Sequence, residues 1–178
     1  MNIEKVNVEH RYKKVIFLDV DGVLNSTKYF EKNNELGLYR EELGIEYEVD
    51  RNTVKLLRQA LDETGAEVVL SSSWRYSQYA DLLQKLLLEY NIKTDKTPYL
   101  DNERGTEIKE YLKTHKEILD YIILDDDIFE DYDDELLKHL IWIIEGEEVR
   151  RGLQKQDIEE IIRRFGPIKR KDEENFER

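Results

Sequence analysis

The chain has no cysteine, which excludes disulfide scaffolds, thiolate nucleophiles and cysteine-held zinc. Its three histidines, His10, His115 and His139, form no spaced pair. A histidine-rich metal site therefore lacks ligands, while a hard cation held by oxygen remains open. With two prolines and eight glycines, the sequence has little punctuation and no linker. No apolar run approaches the roughly 18 residues of a membrane span. The polar stretch from Met1 to Lys14 lacks the apolar centre of a secretory signal, so a cytoplasmic protein is expected. Basic residues are also short, 28 against 41 acidic, for a net charge of −13. That balance argues against broad capture of nucleic acid, which needs a basic face, but allows a small basic cleft in an acidic shell.

What is present suffices for one core: 178 residues, 39% of them hydrophobic. The expectation is a single domain over 1–168 and a charged, solvated tail over 169–178. Val15-Ile16-Phe17-Leu18, Glu67-Val68-Val69-Leu70 and Tyr121-Ile122-Ile123-Leu124 are short, mostly apolar runs suited to strands buried on both faces. A weaker strand is expected near Ile92 to Thr94, and a last one over Ile141-Trp142-Ile143-Ile144. Between them, apolar residues recur at helical spacing: Val54, Leu57 and Leu61 after the cap Asp50 and before Gly65; Tyr79 to Tyr90; Ile108, Tyr111 and Leu112; and Ile158, Ile161, Ile162 and Phe165 before Gly166-Pro167. Strands alternating with helices give an α/β protein with a parallel sheet covered on both faces. Ligands in such folds bind beyond the carboxyl ends of the strands, and here those ends carry Asp19, Ser71-Ser72-Ser73 and Asp125-Asp126-Asp127.

Asp19 and Asp21 close the first strand, two residues apart, with Gly22 placed to allow a sharp turn. Two carboxylates so close repel, and either a divalent cation or a retained proton relieves the cost. Both outcomes suit phosphoryl chemistry, in which one carboxylate attacks phosphorus and the other shuttles a proton. An acidic turn after a strand is the plainer alternative.

The run Asp19-Val20-Asp21-Gly22-Val23-Leu24-Asn25 after an apolar strand resembles the first motif of the haloacid dehalogenase (HAD) superfamily of phosphohydrolases. Val68-Val69-Leu70-Ser71 resembles the second motif, Arg104 stands where the third places a basic residue, and Tyr121 to Asp126 resembles the paired-aspartate fourth. Leu70 to Arg75, Thr97-Pro98, Arg104 to Ile108, Leu124 to Asp127 and Gly152-Leu153 are similar to the branch found as the HAD domain of Swiss-Army-knife RNA repair proteins. The resemblance implies a Rossmann-like three-layer α/β/α fold with a central parallel sheet, and a small cap insert over 26–50. It implies Asp19 as nucleophile, Asp21 as proton donor and acceptor, and Mg²⁺ held by Asp19, Asp125, Asp126 and the Asp21 carbonyl. Ser71 or Ser72 would bind a phosphoryl oxygen, and Arg104 would offset charge, with Lys96 or Lys109 as alternatives. Gly22 and Gly105 join the substrate site through the same motifs. The expected partner is a phosphorylated substrate, an RNA or DNA end or a nucleotide, with no membrane and no obligate protein partner. Alternatives are a phosphatase of small metabolites or phosphoproteins, or a non-catalytic phosphate- or metal-binding module.

Arg75 reads either as a second phosphate contact at the rim or as a helix-start arginine paired with an acid. Trp74 reads as core or as a base-stacking ring, Trp142 as core, and Ser73 as a helix cap. His115 and His139 read as ordinary surface or core residues. The acidic run Asp125 to Glu135 lacks the glycine and closing glutamate of an EF-hand loop and reads as solvated loop beyond its first members. The aromatics Tyr29, Phe30, Tyr39 and Tyr47 of the insert could stack on bases or pack the insert down.

Overall fold

The computed structural model describes residues 12–168 apart from 102, 147 and 148; the charged stretch 169–178 and His10 lie outside the described residues. Strand β1 (Lys13–Leu18) is followed by three short helices, α1 (Thr27–Glu35), α2 (Arg40–Leu43) and α3 (Ile45–Glu48), and then by the long α4 (Arg51–Thr64). Next come β2 (Glu67–Leu70), a 3₁₀ turn (Ser73–Tyr76), α5 (Ala80–Glu89), β3 (Thr94–Lys96) and α6 (Arg104–Thr114). Strand β4 (Ile118–Asp125), α7 (Asp134–His139) and β5 (Leu140–Trp142) complete the sheet. A small antiparallel hairpin of β6 (Ile144–Glu145) and β7 (Val149–Arg150) then leads into α8 (Lys155–Phe165).

The five-stranded sheet has the order β3-β2-β1-β4-β5, with every pair parallel. Alternation along each strand divides the side chains between its two faces. Ile16, Leu18, Val68, Leu70, Ile122 and Leu124 share one core with Val54 and Leu57 of α4, Leu83 and Leu87 of α5, and Ile158 and Ile161 of α8. Val15, Phe17, Val69 and Ile123 share the other with Ile108 and Tyr111 of α6 and Leu136 of α7. Two apolar cores with one sheet between them make a three-layer α/β/α fold, as the sequence pattern implies. Among the described residues no helix is long and apolar enough to cross a membrane.

Local chemistry fixes the element ends. The Asp50 carboxylate accepts from Asn52 N at 2.8 Å to cap α4, and Gly65, at φ +69°, closes it in the left-handed conformation that favours glycine. The expected weak strand lies slightly later, at Thr94–Lys96. The expected strand over 141–144 is divided: β5 stops at Trp142 and Ile144 begins the hairpin. Trp142 is not core. It is 45% exposed, because β5 is an edge strand and its last side chain passes beyond the helical cover. Ser72, rather than Ser73, caps the 3₁₀ turn, accepting from Trp74 N. Within the insert, Phe30 packs against Tyr29 and Tyr47, and the Tyr29 hydroxyl donates to the Glu46 carbonyl, so these rings hold the insert together. Tyr39 alone of the four aromatics is largely exposed. His115 and His139 stack on Tyr111 and Tyr121 at 3.9 Å between ring centroids.

Candidate active site

The register of three adjacent strands creates the site. Leu18 lies opposite both Leu70 and Leu124, so the next residues, Asp19, Ser71 and Asp125, fall at equivalent positions on β1, β2 and β4. The backbone continues the ladder to that level, with Asp19 N donating to Leu124 O at 2.9 Å and Ser71 N to Leu18 O at 3.0 Å. All three residues are buried. Their odd numbering puts them on the sheet face that carries Phe17, Val69 and Ile123, the face covered by α6.

Helix α6 begins with Arg104 directly above them. Its Nη1 donates to Asp19 Oδ1 at 2.9 Å and to Asp125 Oδ2 at 2.8 Å, while the guanidinium lies 4.6 Å from the centre of the Phe129 ring. Of the three basic residues considered for this position, Arg104 reaches Asp19. Lys109 pairs with Asp133 at the surface, at 2.8 Å, and Lys96 lies over the Tyr76 ring. Burial by itself would lower the pKa of Arg104, but the Asp19 and Asp125 charges outweigh it and the net direction is upward.

Asp19, Asp125 and Asp126 each offer an oxygen within 4.8 Å of the other two. Burial pushes the Asp19 carboxyl above its ordinary value, against the opposing pull of Arg104 and the Ser72 hydroxyl. Asp125 is raised by burial and then by the Asp19 charge, with Arg104 opposing. Asp126 is raised to about 6, again mainly by burial, with Arg150 opposing. Three carboxylates against two guanidinium groups, Arg104 and the half-exposed Arg150, leave an excess of negative charge in a partly dry site. An oxygen-only donor set of this kind fits a hard divalent cation such as Mg²⁺. Of the four residues assigned to the metal, the Asp21 side chain is not in the cluster, which leaves only its carbonyl for that role.

The Asp21 carboxylate is held elsewhere. Trp74 Nε1 donates to its Oδ2 at 2.8 Å, and Asn25 Nδ2 to its Oδ1 at 3.2 Å. Asn25 also accepts from Gly22 N at 2.7 Å and donates to Glu48 O at 2.8 Å, tying this loop to the insert. Gly22 itself, at φ +70°, lies so close to Asp126 that a Cβ would run into the carboxylate. The first and fourth acidic segments can therefore approach each other only across a glycine. Gly105 is buried on α6, where a Cβ would collide with the Asp131 carbonyl; its place in the structure is a packing contact.

The serines differ in their surroundings. Ser72 caps the 3₁₀ turn and its hydroxyl interacts with Asp19. Ser71 Oγ is buried without a hydrogen-bond partner among the described residues, and a buried hydroxyl in that state suits a ligand acceptor. Arg75 is not at the rim. It is 4% exposed, and its guanidinium donates to the carbonyls of Ser71, Ser72, Thr97 and Pro98 and to the Glu107 carboxylate. With its donors directed to protein acceptors, Arg75 fixes the serine loop against α6 through Glu107, which lies one turn beyond Arg104.

Residues 15–158 match the family model described as the HAD domain in Swiss Army Knife RNA repair proteins. The chain belongs to this family. No curated protein and no solved structure matches it. Membership in this HAD family points to hydrolase chemistry of the phosphatase type, and the strand ends present the residue types such chemistry needs. Two contacts to the acidic segments are not legible in the sequence: Trp74 with Asp21 and Arg150 with Asp126. Trp74 reads from the sequence as core or as a stacking ring, although an indole N–H beside a carboxylate-rich loop is a signal for a hydrogen bond. Arg150 pairs with Asp126, Nε to Oδ2 at 2.8 Å. It had no local signal, since it stands 24 positions away in a polar hairpin.

Proposed function

We propose that this HAD domain is a Mg²⁺-dependent phosphomonoesterase that works through an aspartyl-phosphate on Asp19, with nucleic-acid ends (3′- or 5′-phosphate) or nucleotides as substrates. The observation that carries the reading is the placement of Asp19. It is a buried carboxylate at a strand end, held by Arg104 and flanked by a second acid, Asp21, that has its own separate hydrogen-bond partners.

An Asp19 carboxylate oxygen attacks phosphorus, and the P–O bond to the leaving group breaks. Asp21 gives its proton to the departing oxygen, so an alcohol leaves and Asp19 carries the phosphoryl group. Asp21, now ionised, takes a proton from water as that water attacks phosphorus. The P–O bond to Asp19 breaks, inorganic phosphate departs, and both carboxyl groups return to their starting states. Trp74 and Asn25 orient the Asp21 carboxylate for these transfers. Arg104 opposes the burial that raises the Asp19 carboxyl and offsets charge on the phosphoryl oxygens, while the Ser71 hydroxyl, or that of Ser72, donates to one of them. Mg²⁺ held by Asp19, Asp125, Asp126 and the Asp21 carbonyl would supply charge neutralisation for the dianionic ester. Since phosphoryl transfer depends chiefly on positioning and electrostatics, these parts suffice.

The small size of the insert supports the substrate class. Residues 26–50 form three short helices, too little for a substantial lid, and an open site suits the end of a polymer. The family description points the same way. The test is phosphate release in the presence of Mg²⁺ from an aryl phosphate and from 3′- and 5′-phosphorylated oligonucleotides. Asp19→Asn should lower turnover at least a thousandfold on all of them, about 4 kcal/mol of barrier. Turnover that survives this substitution would dispose of the nucleophile assignment.

A further inference from the structure

Two exposed side chains attached to Asp126 have no part in the chemistry just described. Trp142 Nε1 donates to the Asp126 carbonyl at 2.9 Å, and the Trp142 residue remains 45% exposed. Arg150 Nε meets the Asp126 carboxylate at 2.8 Å, with 56% of the arginine side chain exposed against 9% for the aspartate. Both stand on ordered backbone. Trp142 is in register with Asp125 on the edge strand. The hairpin bearing Arg150 is fastened just beyond it to the Asp21 loop, with Gly152 N donating to Gly22 O at 3.1 Å and Leu153 N to Val23 O at 2.9 Å. An indole with its N–H anchored and its ring wet, bonded to the same aspartate as a half-exposed guanidinium, is a recognition pair for a flat ring carrying a neighbouring anion.

We propose that Trp142 and Arg150 form the subsite for the nucleotidyl leaving group, the terminal base stacking on Trp142 and the next phosphate pairing with Arg150. This rests on the phosphatase reading and adds the residues that select its substrate. In the free protein Arg150 is held by Asp126. A cation held by Asp126 would compete with Arg150 for its carboxylate, and the guanidinium so freed would be available to a second phosphate, which can accept from two of its nitrogens. A phosphotyrosine peptide would use the indole, but its aromatic ring carries only the scissile phosphate and leaves Arg150 without a partner. The nucleotide is therefore the better match.

The experiment compares wild type, Trp142→Ala, Trp142→Phe and Arg150→Gln on four substrates: glycerol phosphate, 3′- and 5′-phosphorylated dinucleotides, and phosphotyrosine. For the preferred dinucleotide, Trp142→Ala should raise KM about tenfold, as expected for one lost stacking contact, with kcat unchanged and Trp142→Phe largely restoring KM. Arg150→Gln should raise the same KM several-fold. Trp142→Ala should leave KM for glycerol phosphate unchanged, and Arg150→Gln should raise it less than it raises KM for the dinucleotide, since Arg150 also pairs with Asp126. A second readout needs no turnover. The sequence has two tryptophans, Trp74 and Trp142, and the dinucleotide should quench emission in Asp19→Asn but not in Asp19→Asn/Trp142→Phe. Equal losses on dinucleotide and glycerol phosphate, or quenching that survives removal of Trp142, would overturn the subsite. Weakening of phosphotyrosine by Trp142→Ala, with Arg150→Gln silent throughout, would overturn the nucleotide in favour of a phosphopeptide. If wild type hydrolyses none of the four, the phosphatase reading fails, and the quenching titration still decides the subsite.

Discussion

At the scale of single residues, the site depends on groups whose positions leave no slack. Gly22 combines a left-handed backbone with direct contact between its Cα region and the Asp126 carboxylate. Gly22→Ala would strain the backbone by roughly 1–2 kcal/mol and push Asp126 out of the acidic cluster. The expected outcome is a folded protein by circular dichroism whose Mg²⁺ affinity, read by calorimetry, falls about tenfold or more, a loss of about 1.4 kcal/mol. Unchanged affinity would mean that Asp126 can ligate from another position. Arg75 teaches a different lesson. Its sequence neighbours, three serines and a tryptophan at a strand end, mark a functional loop, and either reading of the arginine was open. The structure buries it against four carbonyls and Glu107. A guanidinium has five donors, and donors used to fix the loop are not free for a ligand.

At the scale of elements, helix ends and strand ends do most of the positioning. Helix α6 is placed so that its first residue, Arg104, overhangs Asp19 and Asp125, and the Arg75–Glu107 pair, buried on both sides, locks that helix to the serine loop. On helix α8, Glu160 pairs with Arg163 and Arg164 at the surface and offers a test of surface electrostatics. The Glu160 carboxyl is held down to about 2, first by its hydrogen bond with Arg163 and then by Arg164. Because the folded value lies below the ordinary 4.5, this contribution is present above pH 4.5 and is lost as pH falls toward 2. The pairs are solvent-exposed, so their worth is a few tenths of a kcal/mol each. Glu160→Gln should therefore lower Tm slightly at pH 7 and flatten the acid limb of the Tm-versus-pH curve. A limb as steep as that of wild type would show the network to be silent.

At the scale of the whole molecule, function and stability oppose each other at the acidic cluster. Asp19, Asp125 and Asp126 are gathered where burial disfavours their charges, and Arg104 offsets only part of the cost. Asp125→Asn keeps a hydrogen-bond acceptor for Arg104 and removes one crowded carboxylate. Without metal the variant should be more stable by about 1 kcal/mol, a rise in Tm of about 2–4 °C for a chain of this size. Added Mg²⁺ should raise the Tm of wild type but not of the variant. A lower metal-free Tm in Asp125→Asn would show that the carboxylate supports the fold instead of burdening it.

The sequence by itself determined the layers and the strand ends. Four-residue apolar runs separated by helical periods admit few solutions other than a covered parallel sheet, and polar residues directly after such runs must emerge at its carboxyl edge. Asp19, Ser71 and Asp125 were legible for that reason, as were the caps Asp50 and Gly65, whose chemistry is local. Only the tertiary structure decided which groups meet. The basic residue over Asp19 depended on where α6 starts relative to the sheet. The inward turn of Arg75 and the hydrogen bond from Trp74 to Asp21 depended on how the serine loop folds back. The exposure of Trp142 followed from its strand lying at the edge, and the Arg150–Asp126 pair from a hairpin fastened to a loop more than a hundred residues earlier in the chain. Local sequence carries periodicity and capping because their causes lie within a few residues. It cannot carry contacts set by the docking of separate elements, and those contacts give this acidic rim its arrangement.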